Sequence, residues 1–287
     1  MIYGHTRPAS VWSVAGANSP AFETDVRLDN SQPSEQTVIS GIASSSPTTA
    51  EYFDLIADWA VPQAIGVVGI LKLSCAPGVR IVVTGRRLGD GDYTRVLGGN
   101  SDTITAQIGD GRVQSIIVPT ATETDYIGLQ LRIYNDAGGV TWADDETDLL
   151  IGEVAIYAAT KLCARPARSR GRTQRSQRER ASNGAAHVYP RGDYRTESLS
   201  VLGTVADAYK GGLPGGVDFA RLQAMQDAYR YRALVIPRGE NDYNQGPDYD
   251  LIQQKALFCL ATWGQISEEA DGGIMRVAVP LELEEAL

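Results

Sequence analysis

Histidine, cysteine and long apolar runs are all scarce in this chain, and each scarcity narrows what it can do. His5 and His187 are the only histidines, and a lone imidazole with no identified orienting group is a poor general base. The three cysteines, Cys75, Cys163 and Cys259, are far apart and none forms a CxxC pair, which leaves a disulfide framework or a zinc site without support. Cys75 and Cys259 stand among apolar residues and read as small core residues. No apolar run approaches the roughly 20 residues that cross a bilayer, so no membrane span is expected. The opening residues MIYGHTRPAS lack the positive start and apolar centre of a signal peptide, so export by that route is not expected. GxSxG, HExxH, a phosphate-binding glycine loop and a dinucleotide fingerprint are all missing. The expectation is a protein that is not an enzyme and uses no cofactor, with no catalytic and no metal-binding residues assigned.

What is present is a chain of 287 residues, 43% hydrophobic and 21% charged, long enough to bury a real core. Its most apolar stretch, Ile65 to Val83, reads IGVVGILKLSCAPGVRIVV: two runs rich in β-branched residues around an Ala-Pro-Gly centre, hence a buried strand, a turn over Ser74 to Gly78 and a second strand. Gly66 and Gly69 weaken an isolated strand but suit a place where layers pack closely. Tyr126 to Tyr134 alternates, with Ile127, Leu129, Leu131 and Ile133 on one side and Gly128, Gln130, Arg132 and Tyr134 on a wet side. Val113 to Val118 and Leu149 to Ala158 add strands. Tyr52, Leu55, Ile56 and Trp59, at spacings of three and four, predict a short helical turn ended by Pro62. Many strands broken by Gly and Asp turns indicate a mainly β fold, a jelly-roll type β-sandwich.

Four regions follow: N-terminal strands and loops over 1–50, the sandwich core over 51–162, a basic linker or arm over 163–184, and a β-rich C-terminal region with one helix over 185–287. In that last region Phe219 to Tyr231 predicts the helix, Asn241 to Asp250 a polar loop, Ala256 to Ile266 and Met275 to Leu283 strands, and the tail LELEEAL an exposed acidic end.

Charge is unevenly spread. The net charge is −9, yet Lys161 to Arg180 carries Lys161, Arg165, Arg168, Arg170, Arg172, Arg175, Arg178 and Arg180 against Glu179, a net +7 that leaves −16 for the rest. Such a body argues against nonspecific nucleic-acid binding by the whole protein. The basic segment is almost devoid of apolar residues and reads as a mobile linker or a surface arm. It can meet phosphate backbones or an acidic surface of a neighbouring copy. Asp242, Asn244, Gly246, Asp248 and Asp250 give part of a calcium-loop pattern, but Gln253 stands where the closing Glu belongs, so solvated loop ends are the better reading. Trp142, beside Asp144 and Asp145, with Tyr93 and Tyr134 on neighbouring loops, forms a candidate ligand or partner contact: aromatic rings stack on sugars while carboxylates accept hydroxyl hydrogens. The same aromatics suit a protein interface equally well.

The run IGVVGILKLSCAPGVRIVV with Arg80, followed by DYIGLQLRIYND over Tyr126 to Asp136 and LLIGEVAIYAA with Ile151, Gly152 and Glu153, resembles the galactose-binding-like β-sandwich of minor tail or baseplate proteins of tailed bacteriophages. Tyr189-Pro190-Arg191, Arg195 to Val201 and Leu234 to Arg238 extend the resemblance, which covers roughly Glu51 to Leu287. It implies a structural tail-tip component of the virion, assembled in the host cytoplasm, whose partners are copies of itself in a ring and other tail or baseplate proteins. A carbohydrate-binding module that meets a host-surface glycan is the alternative. Where that group often carries an Asn-His-Asn-like element this chain has Lys72-Leu73-Ser74, so no ligand site comes with the resemblance.

Overall fold

The computed structural model describes residues 1–4, 8, 10–16, 19–23, 26–29, 35–41, 51–74, 80–97, 104–105, 107–109, 112–118, 123–135, 148–164, 169–180, 186–204, 217–218, 223, 225–226, 232–236, 249–271 and 274–285. The chain is mainly β, a jelly-roll type β-sandwich with a helix in the second β-rich region, and it divides into two compact units.

The larger unit comprises Ile2–Thr160 and Leu234–Ala256. Its strands in order are β1 (Ile2–Gly4), β2 (Val11–Gly16), β3 (Ala21–Phe22), β4 (Thr37–Ser40), β5 (Glu51–Ile65), β6 (Val67–Leu73), β7 (Arg80–Arg87), β8 (Arg95–Leu97), β9 (Ile104–Thr105), β10 (Gln107–Gly109), β11 (Arg112–Ile117), β12 (Glu123–Asn135), β13 (Leu149–Ile151) and β14 (Glu153–Tyr157). One sheet runs β2-β5-β12-β7-β8 with β9 on β7, a second runs β10-β11-β6-β14, and a third, short one runs β13-β4-β3. The two expected strands of the Ile65 to Val83 stretch are β6 and β7, and they belong to different sheets. Leu55, Val83, Leu129, Leu131 and Ile133 of the first sheet meet Val68, Ile70, Ile117, Val154 and Ile156 of the second in one apolar core.

β6 is buried on both faces, which is why its sequence is a continuous apolar run with no alternation. Val68 and Ile70 face the sandwich core. Val67 and Gly69 face the other way: a Cβ on Gly4 would lie 2.8 Å from Val67 Cγ1, and one on Gly69 would lie 2.9 Å from Leu234 Cδ2. Gly69 is thus the point of close layer approach that its sequence context suggested. β1 pairs there with the strand Arg232–Ile236, Ile2 opposite Ile236.

The helical turn expected over Glu51 to Pro62 is instead strand β5. Phe53, Leu55, Ala57 and Trp59 are buried at every second position, so a period of two coexists with the three-and-four spacing and wins because β2 and β12 flank it on both sides. Pro62 is accommodated because the register with β12 jumps from Asp58–Gly128 to Gln63–Tyr126, a bulge in which a missing N–H costs no ladder bond. The same irregularity changes the phase of β12, so Tyr126 is buried in the core while Ile127 is only half-buried.

The smaller unit comprises Met1, Lys161–Ala233 and Leu257–Leu287. Its strands include β15 (Ala159–Lys161) at the boundary, β16 (Cys163–Ala164), β17 (Ser169–Arg180), β18 (Ala186–Thr204), β19 (Val217–Asp218), β20 (Arg232–Ile236, shared with the larger unit), β21 (Leu257–Trp263), β22 (Ser267–Asp271) and β23 (Ile274–Glu285). β18 is central, flanked by β23 and by β16 and β17. The tail expected to be exposed is the end of β23: Leu281 and Leu283 are buried, and Glu285 accepts hydrogen bonds from the Arg195 backbone N–H and Nη2, both at 3.1 Å. Alternation of Leu with Glu serves a half-buried strand as well as it serves an acidic tail.

The basic segment also differs from expectation. Ser169–Arg180 is a strand, antiparallel to β18 from Ser169–Ser198 to Arg180–Ala186. Backbone pairing needs no apolar side chains, so composition alone did not exclude it. Arg165 and Arg168 lie outside the described residues. Of the helix expected over Phe219 to Tyr231, Gln223, Met225 and Gln226 are helical and the rest lies outside the described residues. A further helix, Tyr249–Lys255, occupies the end of what read as a polar loop.

Candidate functional site

The outward face of the β2-β5-β12-β7-β8 sheet gathers a set of paired polar and aromatic side chains. Cross-strand register fixes the rows: Tyr52, Tyr134 and Arg80 in one, Asp54, Arg132 and Val82 in the next, then Ile56, Gln130 and Thr84, then Asp58, Gly128 and Arg86. Residues directly opposite one another share a face, so each row is a line of neighbouring side chains.

At the first row the rings of Tyr52 and Tyr134 lie 5.8 Å apart at 52°, a tilted pair within the favourable range. Arg80 stacks over Tyr134 at 5.0 Å and Arg132 over Tyr52 at 4.0 Å. Asp54, nearly buried, accepts from Arg132 Nε at 2.7 Å and Nη2 at 2.9 Å, and from Gln130 Nε2 at 2.9 Å; Gln130 Oε1 in turn accepts from Thr84 Oγ1 at 3.2 Å. The two-pronged bond to Asp54 raises the affinity of the Arg132 guanidinium for its proton, against the opposing effect of burial. The fork therefore locks Arg132 against Tyr52, while Tyr52 itself remains 40% exposed.

At the other end of β12, Gly128 supplies no side chain and Tyr93 lies over it: a Cβ there would be 2.5 Å from Asp58 Oδ1 and 3.1 Å from Tyr93 Cε1. Asp58 Oδ1 accepts from the Tyr93 hydroxyl at 2.7 Å and from Arg86 Nη2 at 2.8 Å, and Arg86 stacks on the Tyr93 ring at 5.0 Å. Burial first, then the bond to Asp58, pushes the Tyr93 phenol well above its ordinary range. The hydroxyl of that tyrosine is committed inside the protein.

The expected contact set is therefore divided. Tyr134 stands in the first row and Tyr93 beside Gly128, six strand residues away, or about 20 Å. Trp142, Asp144 and Asp145 lie outside the described residues. Tyr52, assigned to a helix by its spacing, is the aromatic that joins Tyr134; its alternation with Phe53 was the available signal. In the basic segment Arg170 and Arg172 are exposed, and Arg170 pairs with Glu197 at 3.4 Å. For Lys161, Arg175, Arg178 and Arg180 the backbone alone is described. Among the described residues no group of three or more His, Cys, Asp or Glu side chains is arranged to hold a metal ion, and no helix is long and apolar enough to cross a membrane.

No family model matches the chain, and no curated protein does. Solved structures that match include a pectin binding carbohydrate-binding module, at 12% identity and TM-score 0.27 over 50% of this chain and 91% of that one. CBM32-1 from a family 31 glycoside hydrolase of Clostridium perfringens matches at 15% identity and TM-score 0.25, over 50% and 96%. A GH29 fucosidase of Ruminococcus gnavus in complex with fucose matches at 12% identity and TM-score 0.28, over 46% of this chain; the match spans only 27% of the fucosidase. These findings correct the resemblance to phage tail proteins. The matched structures are carbohydrate-binding modules and a glycosidase, so the tail-tip role, the ring of copies and the baseplate partners are withdrawn. Scores this low decide nothing about ligand or activity, which rest on the side chains of this chain.

Proposed function

We propose that this β-sandwich is a non-catalytic binding module that recognises a carbohydrate on the outward face of the β5-β12-β7 sheet. The observation that carries the reading is the Tyr52 and Tyr134 pair, held in place by Arg132 and Arg80 and left open on its outer side at Tyr52. A sugar ring offers an apolar face that stacks on such a ring, and its hydroxyls find donors in the Arg80 and Arg132 guanidiniums beside it. Matching aromatic positions to polar ones already fixed in the sheet limits the ordering cost of binding.

The test is a glycan array followed by calorimetric titration of the best oligosaccharide with the wild-type chain, Tyr52→Ala and Tyr134→Ala. Saturable binding lost in both variants, with folding intact by circular dichroism, is the expected outcome. No binding by the wild type, or binding indifferent to both substitutions, overturns the reading.

A further inference from the structure

Strand β2 (Val11–Gly16) ends one side of the β2-β5-β12-β7-β8 sheet: it pairs with β5, and among the described residues no strand lies beyond it. Edge strands are commonly guarded by charge, proline or shortness. The opposite edge is guarded, since β8 is three residues long and begins with Arg95. β2 has six residues and no proline, and from Pro8 to Phe22 the sequence holds no charged residue. Val11, Ser13 and Ala15 are exposed, while Trp12 and Val14 are half-buried against the core. In an antiparallel strand the N–H and C=O of one residue point to the same side, and those of the next residue to the other. The Ser10 N–H turns to Asp29 Oδ2 at 3.4 Å, and the Gly16 C=O accepts from the Ser19 N–H at 3.3 Å, both away from β5. Val11, Ser13 and Ala15 therefore bond to β5, and the groups that point off the edge are those of Trp12 and Val14. Asp29 and Ser19 close this window at its two ends. Within it two N–H and two C=O groups meet no partner among the described residues.

We infer that β2 pairs antiparallel with β2 of a second copy of this chain, about a two-fold axis at Ser13. The window selects partner and register together. Trp12 opposite the partner's Val14, and Val14 opposite the partner's Trp12, uses every group that points off either edge, in four main-chain bonds. Trp12 opposite the partner's Trp12 would instead set Val14 against Ser10, whose N–H is engaged by Asp29, and Val14 opposite the partner's Val14 would set Trp12 against Gly16, whose C=O is engaged by Ser19. Directly opposed residues share a face, so Trp12 and Val14 extend the core side, while Ser13 meets the partner's Ser13 and Val11 meets the partner's Ala15 on the outward side. No like charges are opposed there, although each copy carries a net −9. Such a pair closes on itself and builds no ring. A contact of one short strand belongs with the small, transient interfaces, so dissociation in the micromolar to millimolar range is expected. Because Ser13 stands opposite Ile56, the joined sheet carries the two copies of Tyr52 on a common face about 30 Å apart, three strand spacings across and eight residues along. Under the carbohydrate reading, on which this consequence alone rests, a dimer holds one polymer at two points.

The test is disulfide trapping of the full chain together with sedimentation velocity. Ser13→Cys brings two thiols onto the axis, where a non-hydrogen-bonded pair has Cα atoms about 4.5 Å apart, within reach of a disulfide; mild oxidation gives a covalent dimer that the wild type does not form. Ala15→Cys sets its two thiols four residues apart, about 14 Å along the strand, and gives none. The sedimentation coefficient of the wild type rises with concentration. Val14→Pro removes an N–H that makes no bond within the chain and with it two of the four bonds of the dimer, so association weakens at least about tenfold while the circular dichroism stays unchanged. The pairing is overturned by a wild type that stays monomeric to near-millimolar concentration with no Ser13→Cys dimer, by association indifferent to Val14→Pro, or by Ala15→Cys cross-linking as readily as Ser13→Cys. Neither measurement uses a ligand, so failure of the pairing and failure of carbohydrate recognition are read separately.

Discussion

Gln253 makes a demanding test of how the larger unit is held together. Its side chain is fully buried and acts as a surrogate strand residue: Oε1 accepts from the Ile116 N–H at 2.7 Å, and Nε2 donates to the Ile116 carbonyl at 2.8 Å. Among the described residues β10 pairs with β11 from Arg112 to Gln114, and at Ile116 it is Gln253 that meets the edge of β11. Its own carbonyl, in the last turn of helix Tyr249–Lys255, accepts from Gln114 Nε2 at 2.5 Å, satisfying one of the orphan acceptors that every helix end leaves. Truncation in Gln253→Ala strands one buried donor and one buried acceptor. At about 1–3 kcal/mol for each unsatisfied group the cost is about 2–6 kcal/mol, a large part of the ~5–15 kcal/mol that holds a typical domain. Gln253→Leu keeps most of the volume and loses the same bonds, so a similar cost there assigns the effect to polar satisfaction and not to the cavity. Two compact units need not unfold together, so the assay is native-state hydrogen exchange at the Ile116 amide, with urea denaturation as the global measure. Protection at Ile116 falls by tenfold for each ~1.4 kcal/mol lost. An Ala variant within about 0.5 kcal/mol of wild type, with Ile116 protection unchanged, refutes the reasoning.

Three further outcomes follow from the outward face of the sheet. Gly128→Ala forces Asp58 or Tyr93 to move, because its Cβ would lie 2.5 Å from the carboxylate oxygen; a loss of about 1–3 kcal/mol is expected by chemical denaturation, of the size seen for overpacking. Asp54→Asn removes the charge-assisted fork to Arg132; since that guanidinium side chain is 32% exposed, solvent replaces part of the interaction and the loss is about 1–3 kcal/mol in thermal or urea unfolding. Tyr93 gives an alkaline signature. Its folded-state phenol titrates above the unfolded value of 10.0, so the stability it confers is complete below about pH 10 and is lost as pH rises beyond it. Melting temperature followed from pH 8 to 11 therefore falls less steeply above pH 10 in Tyr93→Phe than in the wild type.

The sandwich was legible wherever burial acted on one face of a strand. Leu129, Leu131 and Ile133 alternate with Gln130, Arg132 and Tyr134 because one side of β12 meets the core and the other meets water. β5 was misread because its wet face is not simply polar. Tyr52 and Ile56 supplied a helical spacing, and the burial of Asp54 is made tolerable by Arg132, 78 residues away. A partner that distant in sequence leaves no local pattern. β17 was misread for a different reason: hydropathy reports on cores, and this strand is defined by main-chain pairing with β18. Helix Tyr249–Lys255 is too short for a repeating apolar face, and the role of Gln253 depends on where β10 stops. Tyr134 and Tyr93 were singled out with Trp142 by residue type, as aromatics on neighbouring loops, whereas Tyr134 stands in strand β12; residue type cannot tell a ring open to a ligand from one whose hydroxyl is already bound.

That distinction decides where binding is placed on the sheet. Around Gly128 the groups form a closed circuit: one Asp58 oxygen takes both the Tyr93 hydroxyl and Arg86, the Arg86 plane covers the Tyr93 ring, and the ring covers the glycine. A ligand entering there must break bonds it cannot replace, and the burial of the phenol opposes its release. At the first row the arrangement is held from behind. Asp54 fixes Arg132 through both of its oxygens, Arg132 fixes Tyr52 by stacking, and Tyr134 leans on Tyr52 and Arg80. Among the described residues no hydrogen bond to Tyr52 has to be broken, and its ring is already held by Arg132 and Tyr134. Restraint behind the contact surface with exposure in front of it is the condition under which aromatic area converts most fully into affinity, and of the two ends of this face it is met at Tyr52 and Tyr134.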